Sequence, residues 1–351
     1  MHVLCFGAGA IGSLVGARLA LAGTDVTLLA RRDHVAAIRT WGLVLETPRE
    51  RLTCKRIDSI TALDDLAAPP DLVLLTTKAY HTREAMTALR GALPDRAVVM
   101  SLQNGVGNEE LIAADVGPAR TLAGAVTINA SRPRPGVVRQ HSETGGIAMA
   151  PMPPGLEPHD VAALFRRSGL PTDVQQDYRA MKWSKLLLNL FTNASSAILD
   201  LPPLAIVDDR RLYGMEREGF LEARRVMRAL GLRPVALPGY PIPLLQLAVA
   251  APPGVVQPML RRFIRRGRGD RRPSLWHDLQ RGRAESEVDV LNGAVVREGA
   301  RLDVRTPVNN ALTEVLLGLV GGRLDPRAFR GHPEALLAYV DSARARGSSA
   351  G

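Results

Sequence analysis

His2-Val3-Leu4-Cys5-Phe6-Gly7-Ala8-Gly9-Ala10-Ile11-Gly12 opens the chain and decides how its first half is read. Val3 to Phe6 is a short apolar run that stops abruptly at glycine, as a buried parallel strand does. Ile11, Leu14, Val15, Ala17, Leu19 and Ala20 then recur at helical spacing up to Gly23. The turn between them has the pattern G-x-G-x-x-G. Gly7 permits a tight turn, Gly9 lets backbone approach a pyrophosphate, and Gly12 lets the helix lie close to the strand. The helix N-terminus would meet a phosphate with free N–H groups and the positive end of its dipole. A glycine-rich turn in some other α/β protein is the plainer alternative. The strand before and the helix after stand where a dinucleotide-binding fold needs them.

The next strand, Asp25-Val26-Thr27-Leu28-Leu29-Ala30, ends in Arg31-Arg32. In an NAD site this tip carries an acid for the ribose hydroxyl, whereas a cation suits the extra phosphate of NADP. Arg31 lies nearest the strand end and is the expected phosphate partner, with NADPH as cofactor. Asp33 reads as the cap of a helix around Val35 to Ile38.

Strand and helix keep alternating. Asp71 to Lys78 and Ala97 to Leu102 read as buried strands, Thr82 to Leu89 and Glu109 to Ala114 as helices. Thr121 to Ala130 and Gly136 to Met149 read as later strands. Such βαβ repetition implies a doubly wound, parallel Rossmann sheet with helices on both faces and ligands at the carboxyl ends of its strands. Lys78 and Asn104 stand at two such ends, so both are candidate ligand contacts; a snorkelling surface lysine is the alternative for Lys78. His141 has no partner in sequence that argues for metal or catalysis, and it reads as structural. No metal site is expected.

At 351 residues the chain is long enough for two domains. We divide it into a Rossmann domain over 1–174, a mostly helical domain over 175–340 and a flexible tail over 341–351. Past Val174, helical apolar spacing covers Tyr178 to Ile198, Leu212 to Ala229, Leu275 to Glu298 and Asn309 to Gly318. No apolar run reaches the roughly 18 residues of a membrane span, and no secretory signal precedes the first strand. Cys5 and Cys54 make no disulfide framework, which fits a reducing cytoplasm. The net charge of +10 raises the question of nucleic acid. It comes almost wholly from arginine spread along the chain, and aromatic residues are only 4%, too few for a base-stacking face. Neither a nucleic-acid nor a membrane partner is expected, and a homodimer stays open. The one dense cluster (Arg261, Arg262, Arg265, Arg266, Arg268, Arg271 and Arg272) interleaves with Leu260, Phe263 and Ile264 as an amphipathic helix with a solvated basic side.

The first helix of the second domain holds Lys185, Asn189 and Asn193 among Leu186, Leu187, Leu188, Leu190 and Phe191. Steps of four residues turn about 40° past a full circle, so the three side chains form one slanted polar stripe. Such a stripe costs desolvation unless a neighbouring helix or a ligand satisfies it.

Together these segments resemble the ketopantoate reductase family (2-dehydropantoate 2-reductases). The resemblance rests on Gly7-Ala8-Gly9-Ala10-Ile11-Gly12, Arg31, Thr77-Lys78-Ala79, Gln103-Asn104-Gly105-Val106-Gly107 and Lys185-Leu186-Leu187-Leu188-Asn189 with Asn193. It ends with Glu287-Val288-Asp289-Val290-Leu291-Asn292-Gly293. It implies Lys185 as proton donor and Asn189 and Asn193 as substrate-holding groups. It also implies that Lys78 and Asn104 lie at cofactor and substrate, that Ala130 touches the cofactor through its backbone, and that Glu287 is the acid near the nicotinamide ribose. The family serine falls on Pro273 or Ser274, and we carry Ser274 as a substrate residue. The long spacing from Asp278 leaves Glu285 as a rival to Glu287, and a further family asparagine falls near Pro203.

The chemistry implied is hydride transfer from NADPH to a 2-keto acid, with an ammonium stabilising and protonating the nascent alkoxide. A lysine with a reference pKa of about 10.4 is charged at neutral pH. Lys182, one turn earlier, is the substitute donor, although it sits off the register of the asparagine stripe. 2-Dehydropantoate is the expected substrate. A different 2-keto acid and a non-catalytic NADPH-binding sensor are the alternatives.

Overall fold

The computed structural model describes residues 1–155, 157–250, 257–258, 261–262 and 272–346. The chain divides into two compact units. One is Met1–Lys182 with Ala236–Pro241, the other Trp183–Val235 with Ile242–Gly351.

The first unit begins as the glycine pattern demands. Strand β1 (His2–Phe6) leads through the turn into α1 (Ala10–Leu21), and β2 (Asp25–Leu29) pairs parallel to β1. Helix α2 (Arg32–Trp41) follows, then the short strands β3 (Leu43–Glu46), β4 (Arg51–Cys54) and β5 (Asp58–Ile60). β6 (Leu72–Leu75), α3 (Thr82–Leu89), β7 (Val98–Ser101), α4 (Asn108–Val116) and β8 (Thr121–Val126) continue the alternation. β9 (Ala130–Arg134), β10 (Val137–Gln140), β11 (Ile147–Pro151), α5 (His159–Arg167) and β12 (Thr172–Val174) complete it.

Eight strands form one sheet in the order β12-β11-β8-β7-β6-β1-β2-β5. Every described pairing in it is parallel except β11 with β8. Successive residues of the central strands serve opposite faces. Val3, Cys5, Leu72 and Leu74 join the core under α1 and α5, whereas Leu4, Val73 and Leu75 pack with Met86, Leu89 and Ile112 of α3 and α4. Both faces are covered, so these strands are apolar throughout, as the sequence pattern requires.

The expected doubly wound sheet is therefore present, with two differences. The antiparallel β11 makes it mixed. A second sheet, β4-β3-β10-β9, lies outside the expectation. The segments Thr121 to Ala130 and Gly136 to Met149 are each divided accordingly, with β9 and β10 belonging to the second sheet.

The second unit is helical. Its helices include the greater part of α6 (Tyr178–Leu190), then α7 (Asn193–Leu199), α8 (Pro203–Asp208) and α9 (Arg210–Ala229). Ser274–Gln280, Asn292–Arg301, Pro307–Val320 and Pro333–Arg346 follow. Two expected helices are each two. Tyr178 to Ile198 breaks at Phe191-Thr192, and Leu275 to Glu298 breaks after Gln280, where Gly282 takes φ +60. The last helix runs to Arg346, so residues 341–346 are helical where a flexible tail was expected; residues beyond lie outside those described. Within the basic cluster, Arg261 pairs with Asp208 at 3.0 Å and Arg272 with Asp200 at 3.4 Å. Arg265, Arg266, Arg268 and Arg271, with Leu260, Phe263 and Ile264, also lie outside the described residues. Among described residues no helix is long and apolar enough to cross a membrane, and no cluster of metal-ligating side chains occurs.

One buried histidine ties the first unit together. Gly136 N–H donates to His34 Nδ1 (2.9 Å), which sets the ring to donate through Nε2 to Ser13 Oγ (3.0 Å). Ser13 Oγ in turn donates to Ala8 O (3.1 Å) inside the glycine turn. Burial, then Arg132, holds the ring well below its usual range, at about 4 against 6.5. A depressed folded-state pKa means that the stability of neutral His34 is complete above about 6.5 and is lost as pH falls toward about 4. His34 therefore contributes a loss of stability over that window, and the urea midpoint of His34→Gln is expected to gain on that of the parent as pH falls. An equal slope in the variant would remove His34 as the cause.

Candidate active site

The glycine turn is shaped by what its residues exclude. Gly7 sits at φ +94, in the left-handed region that favours glycine. A methyl group at Gly12 would lie 2.4 Å from Thr76 Oγ1, so α1 approaches the tip of β6 more closely than any side chain allows. Thr76 closes the turn from the other side, its hydroxyl 2.8 Å from Gly7 O and 3.1 Å from Phe6 O. The Gly7 and Ala8 N–H groups are spent on Leu29 O. Gly9 differs: it is exposed, and a Cβ there would meet nothing closer than Gly7 O at 3.8 Å. That open approach, at a helix start with no side-chain cap, fits a pyrophosphate. Ala10 and Ile11, the first helical residues, are half-buried.

Arg31 is the N-cap residue of α2, exposed just beyond the tip of β2. Asp33 lies in the first turn of that helix and makes no capping hydrogen bond, so the expected cap is replaced by an acid facing the helix dipole.

The tips of β6 and β7 are joined by Gln103. Its Nε2 lies 3.2 Å from Thr77 O and 3.3 Å from Lys78 O, and 3.0 Å from Thr82 Oγ1. Asn108 Nδ2 donates to Asn104 O at 2.9 Å. Lys78 and Asn104, both half-buried, are thus presented from loops whose backbone is fastened. The fastening continues to Lys182, only 3% exposed. Its ammonium donates to Gln103 O (2.9 Å) and Gly124 O (3.2 Å) and pairs with Glu109 at 2.8 Å, itself 1% exposed. Lys182 is a buried structural cation, which corrects its reading as a substitute proton donor. Ala130 starts β9 opposite Gln140, and His141 Nε2 lies 2.8 Å from Ser131 Oγ in the same hairpin.

In the helical unit Lys185 and Asn189 stand one turn apart on α6, Lys185 half-buried and Asn189 buried. Asn193 does not continue their helix. It is the first residue of α7, after Thr192 at φ 60, so the expected single stripe is bent before its last member. Asn193 Oδ1 accepts from Leu275 N–H (3.3 Å), next to the half-buried Ser274 that starts its helix. Glu287 is 2% exposed whereas Glu285 is exposed, and Asp278 is buried 3.4 Å from Arg283. The expectation had no place for two buried acids. Glu216 accepts from Thr192 N–H (2.7 Å) and from Ser195 Oγ. Glu222 accepts from Val308 and Asn309 N–H (2.9 and 3.0 Å) and from Asn309 Nδ2. Burial pushes both carboxyls up to about 7. Their partners lie far away in sequence, and local patterning carries no trace of them.

A parallel sheet with this glycine turn, followed by a helical unit carrying lysine and carboxamides, defines a nicotinamide-dependent oxidoreductase. Comparison with known proteins narrows the class. Residues 3–154 match the family described as "Ketopantoate reductase PanE/ApbA", and residues 177–319 match its C-terminal region. The 2-dehydropantoate 2-reductase of Pyrococcus horikoshii is 36% identical over 240 residues, 66% of this chain and 75% of that one. That of Pyrococcus abyssi is 30% identical over 325 residues, 92% of this chain and 98% of its own. The crystal structure of a PanE/ApbA family ketopantoate reductase from Ralstonia eutropha JMP134 superposes with a TM-score of 0.78 at 32% identity. It spans 92% of this chain and 99% of that one. The chain belongs to the ketopantoate reductase PanE/ApbA family.

Removing one member of the Lys182–Glu109 pair strands a buried charge. Lys182→Met is expected to destabilise the protein by about 3–5 kcal/mol, and Lys182→Met with Glu109→Leu by much less. Urea unfolding of both variants measures the difference; equal losses would mean that the pair is not coupled.

Proposed function

We propose that this enzyme reduces a 2-keto acid with NADPH, and that the acid is 2-dehydropantoate. The single observation that carries the donor assignment is the commitment of Lys182 to Glu109, Gln103 O and Gly124 O. That removes Lys182 as a donor, and Lys185, one turn from Asn189 on the same helix, is the residue to which the family resemblance gives the proton. The names of the relatives support the substrate.

A bound nicotinamide supplies a hydride to the keto carbon. The chain supplies the rest. Lys185 Nζ holds a proton for the carbonyl oxygen and stabilises its developing charge. Asn189, Asn193 and Ser274 hold the substrate through carboxamide and hydroxyl groups. Gly7 to Gly12 receive the pyrophosphate, and Arg31 takes the 2′-phosphate that distinguishes NADPH from NADH. Lys78, Asn104, the Ala130 backbone and Glu287 complete the contacts to cofactor and substrate. The burial of Glu287 beside an exposed Glu285 favours Glu287 as the acid of the site. Membership of an enzyme family decides against a non-catalytic sensor.

A second reading, reduction of a different 2-keto acid, is favoured by Pro203. It is buried at the start of α8, near where the family resemblance puts a further asparagine, so that stretch carries no carboxamide.

Lys185→Ala is expected to lower kcat about 10²- to 10⁴-fold while NADPH affinity, read by fluorescence titration, stays within about twofold. Turnover near that of the unaltered enzyme would refute the donor role. Arg31→Ala is expected to weaken NADPH binding about tenfold and to leave NADH nearly unchanged; equal losses for both would refute the phosphate role. A panel of 2-keto acids with branched and aryl side chains, at fixed NADPH, decides between the two substrate readings.

A further inference from the structure

Thr192 carries an unusual strain. Three non-glycine residues among those described have positive φ, namely Thr192, Asp200 and Asp303, and Thr192 alone is β-branched. A β-branched side chain in the left-handed region is a genuine outlier that persists only when its surroundings hold it. Here the surroundings are identifiable. The Glu216 carboxyl, 3% exposed and supplied by α9, accepts the Thr192 N–H at 2.7 Å and the Ser195 hydroxyl. It thereby caps α7 from outside, as an acid at a helix N-terminus does. Among the described residues no cation pairs with it, so an ion pair does not account for its burial.

The other end of α7 is pinned as well. Asp200, its C-terminal cap at φ 53, accepts from Trp276 Nε1 at 2.6 Å and pairs with Arg272 and Arg330. Trp276 belongs to the helix whose Leu275 N–H donates to Asn193 Oδ1. α7 is thus a short helix locked at both ends, with Asn193 as its first residue. Had α6 continued, Thr192 and Asn193 would lie on its regular helical path, and Asn193 would follow Asn189 around that cylinder. The break sends it elsewhere.

We propose that Glu216 is a positioning residue for the substrate: by holding Thr192 in its left-handed turn, it sets the direction of the Asn193 carboxamide relative to Asn189. This rests on the reading above that Asn189 and Asn193 hold the keto acid. Glu216 itself touches no reacting atom. Its effect is on the placement of a binding group, where an error of about 1 Å can cost as much as 10²-fold.

The test compares Glu216→Met, Glu216→Gln, Asn193→Ala and Glu216→Met with Thr192→Gly, each assayed as full-length enzyme with NADPH and 2-dehydropantoate. Glutamine keeps an acceptor for Thr192 N–H and can donate to Ser195, so its KM is expected within about threefold of the parent. Methionine fills the space but accepts nothing, and KM is expected to rise about tenfold, with kcat and NADPH affinity within about twofold. Glycine adopts φ 60 without strain, so the double variant is expected to fold and to recover KM to within about threefold. A Glu216→Met enzyme with parental KM, where Asn193→Ala is raised, would overturn the positioning role. So would a folded double variant whose KM stays as high as that of Glu216→Met; this comparison remains decisive if the single variant fails to fold. Parental KM in Asn193→Ala would instead sink the substrate reading on which the inference stands.

Discussion

The first unit depends on how closely a helix can approach a strand tip. With a methyl group at Gly12 placed 2.4 Å from Thr76 Oγ1, the contact between α1 and β6 admits hydrogen and nothing larger. That closeness lets one threonine hydroxyl reach carbonyls at the end of β1, and it fixes where α1 points its first N–H groups. Everything placed on this edge of the sheet inherits its position from there. The rest is assembled by polar side chains reaching back to backbone. Gln103 joins two strand tips, and Lys182 with Glu109 closes the turn beneath them. The backbone of this edge is thus fastened by the chain's own side chains, and fastening of that kind reduces the entropy lost on binding.

The sequence made the large sheet legible because the reasons for it are local. Val3 to Phe6 and Leu72 to Leu75 are apolar on every residue since helices cover both of their faces, and Gly7, Gly9 and Gly12 mark the turn by type and spacing. The second sheet was not legible. β3 pairs with β10, more than ninety residues on, and no local pattern in Leu43–Glu46 announces that partner. Within the helical unit, the break after Gln280 has a visible cause in Gly282. The break at Thr192 has none nearby, since apolar spacing runs straight through it and the carboxyl that holds it belongs to α9.

The same contrast applies to the residues of the site. Those that the proposed function assigns to ligand, the glycines, Arg31, Lys78, Asn104, Lys185 and Asn189, stand out in a sequence with four lysines. Those that support them do not. Glu109, Gln103 and Glu216 are polar residues on ordinary helices and turns, and burial alone reveals their work. Lys182 shows what burial adds to residue type: register alone sets it apart from the asparagine stripe, and its enclosure with an acid shows what it does instead.

Cys5 lies in the middle of β1, fully enclosed, its sulfur within contact distance of where a side chain on Gly16 would begin. Burial lifts its thiol to about 12, and Cys54 is raised as well. Nucleophilic sulfur requires the thiolate, and neither residue supplies it at neutral pH. The cysteines of the folded protein therefore offer peroxide, glutathione disulfide and thiol-directed alkylators no reactive sulfur.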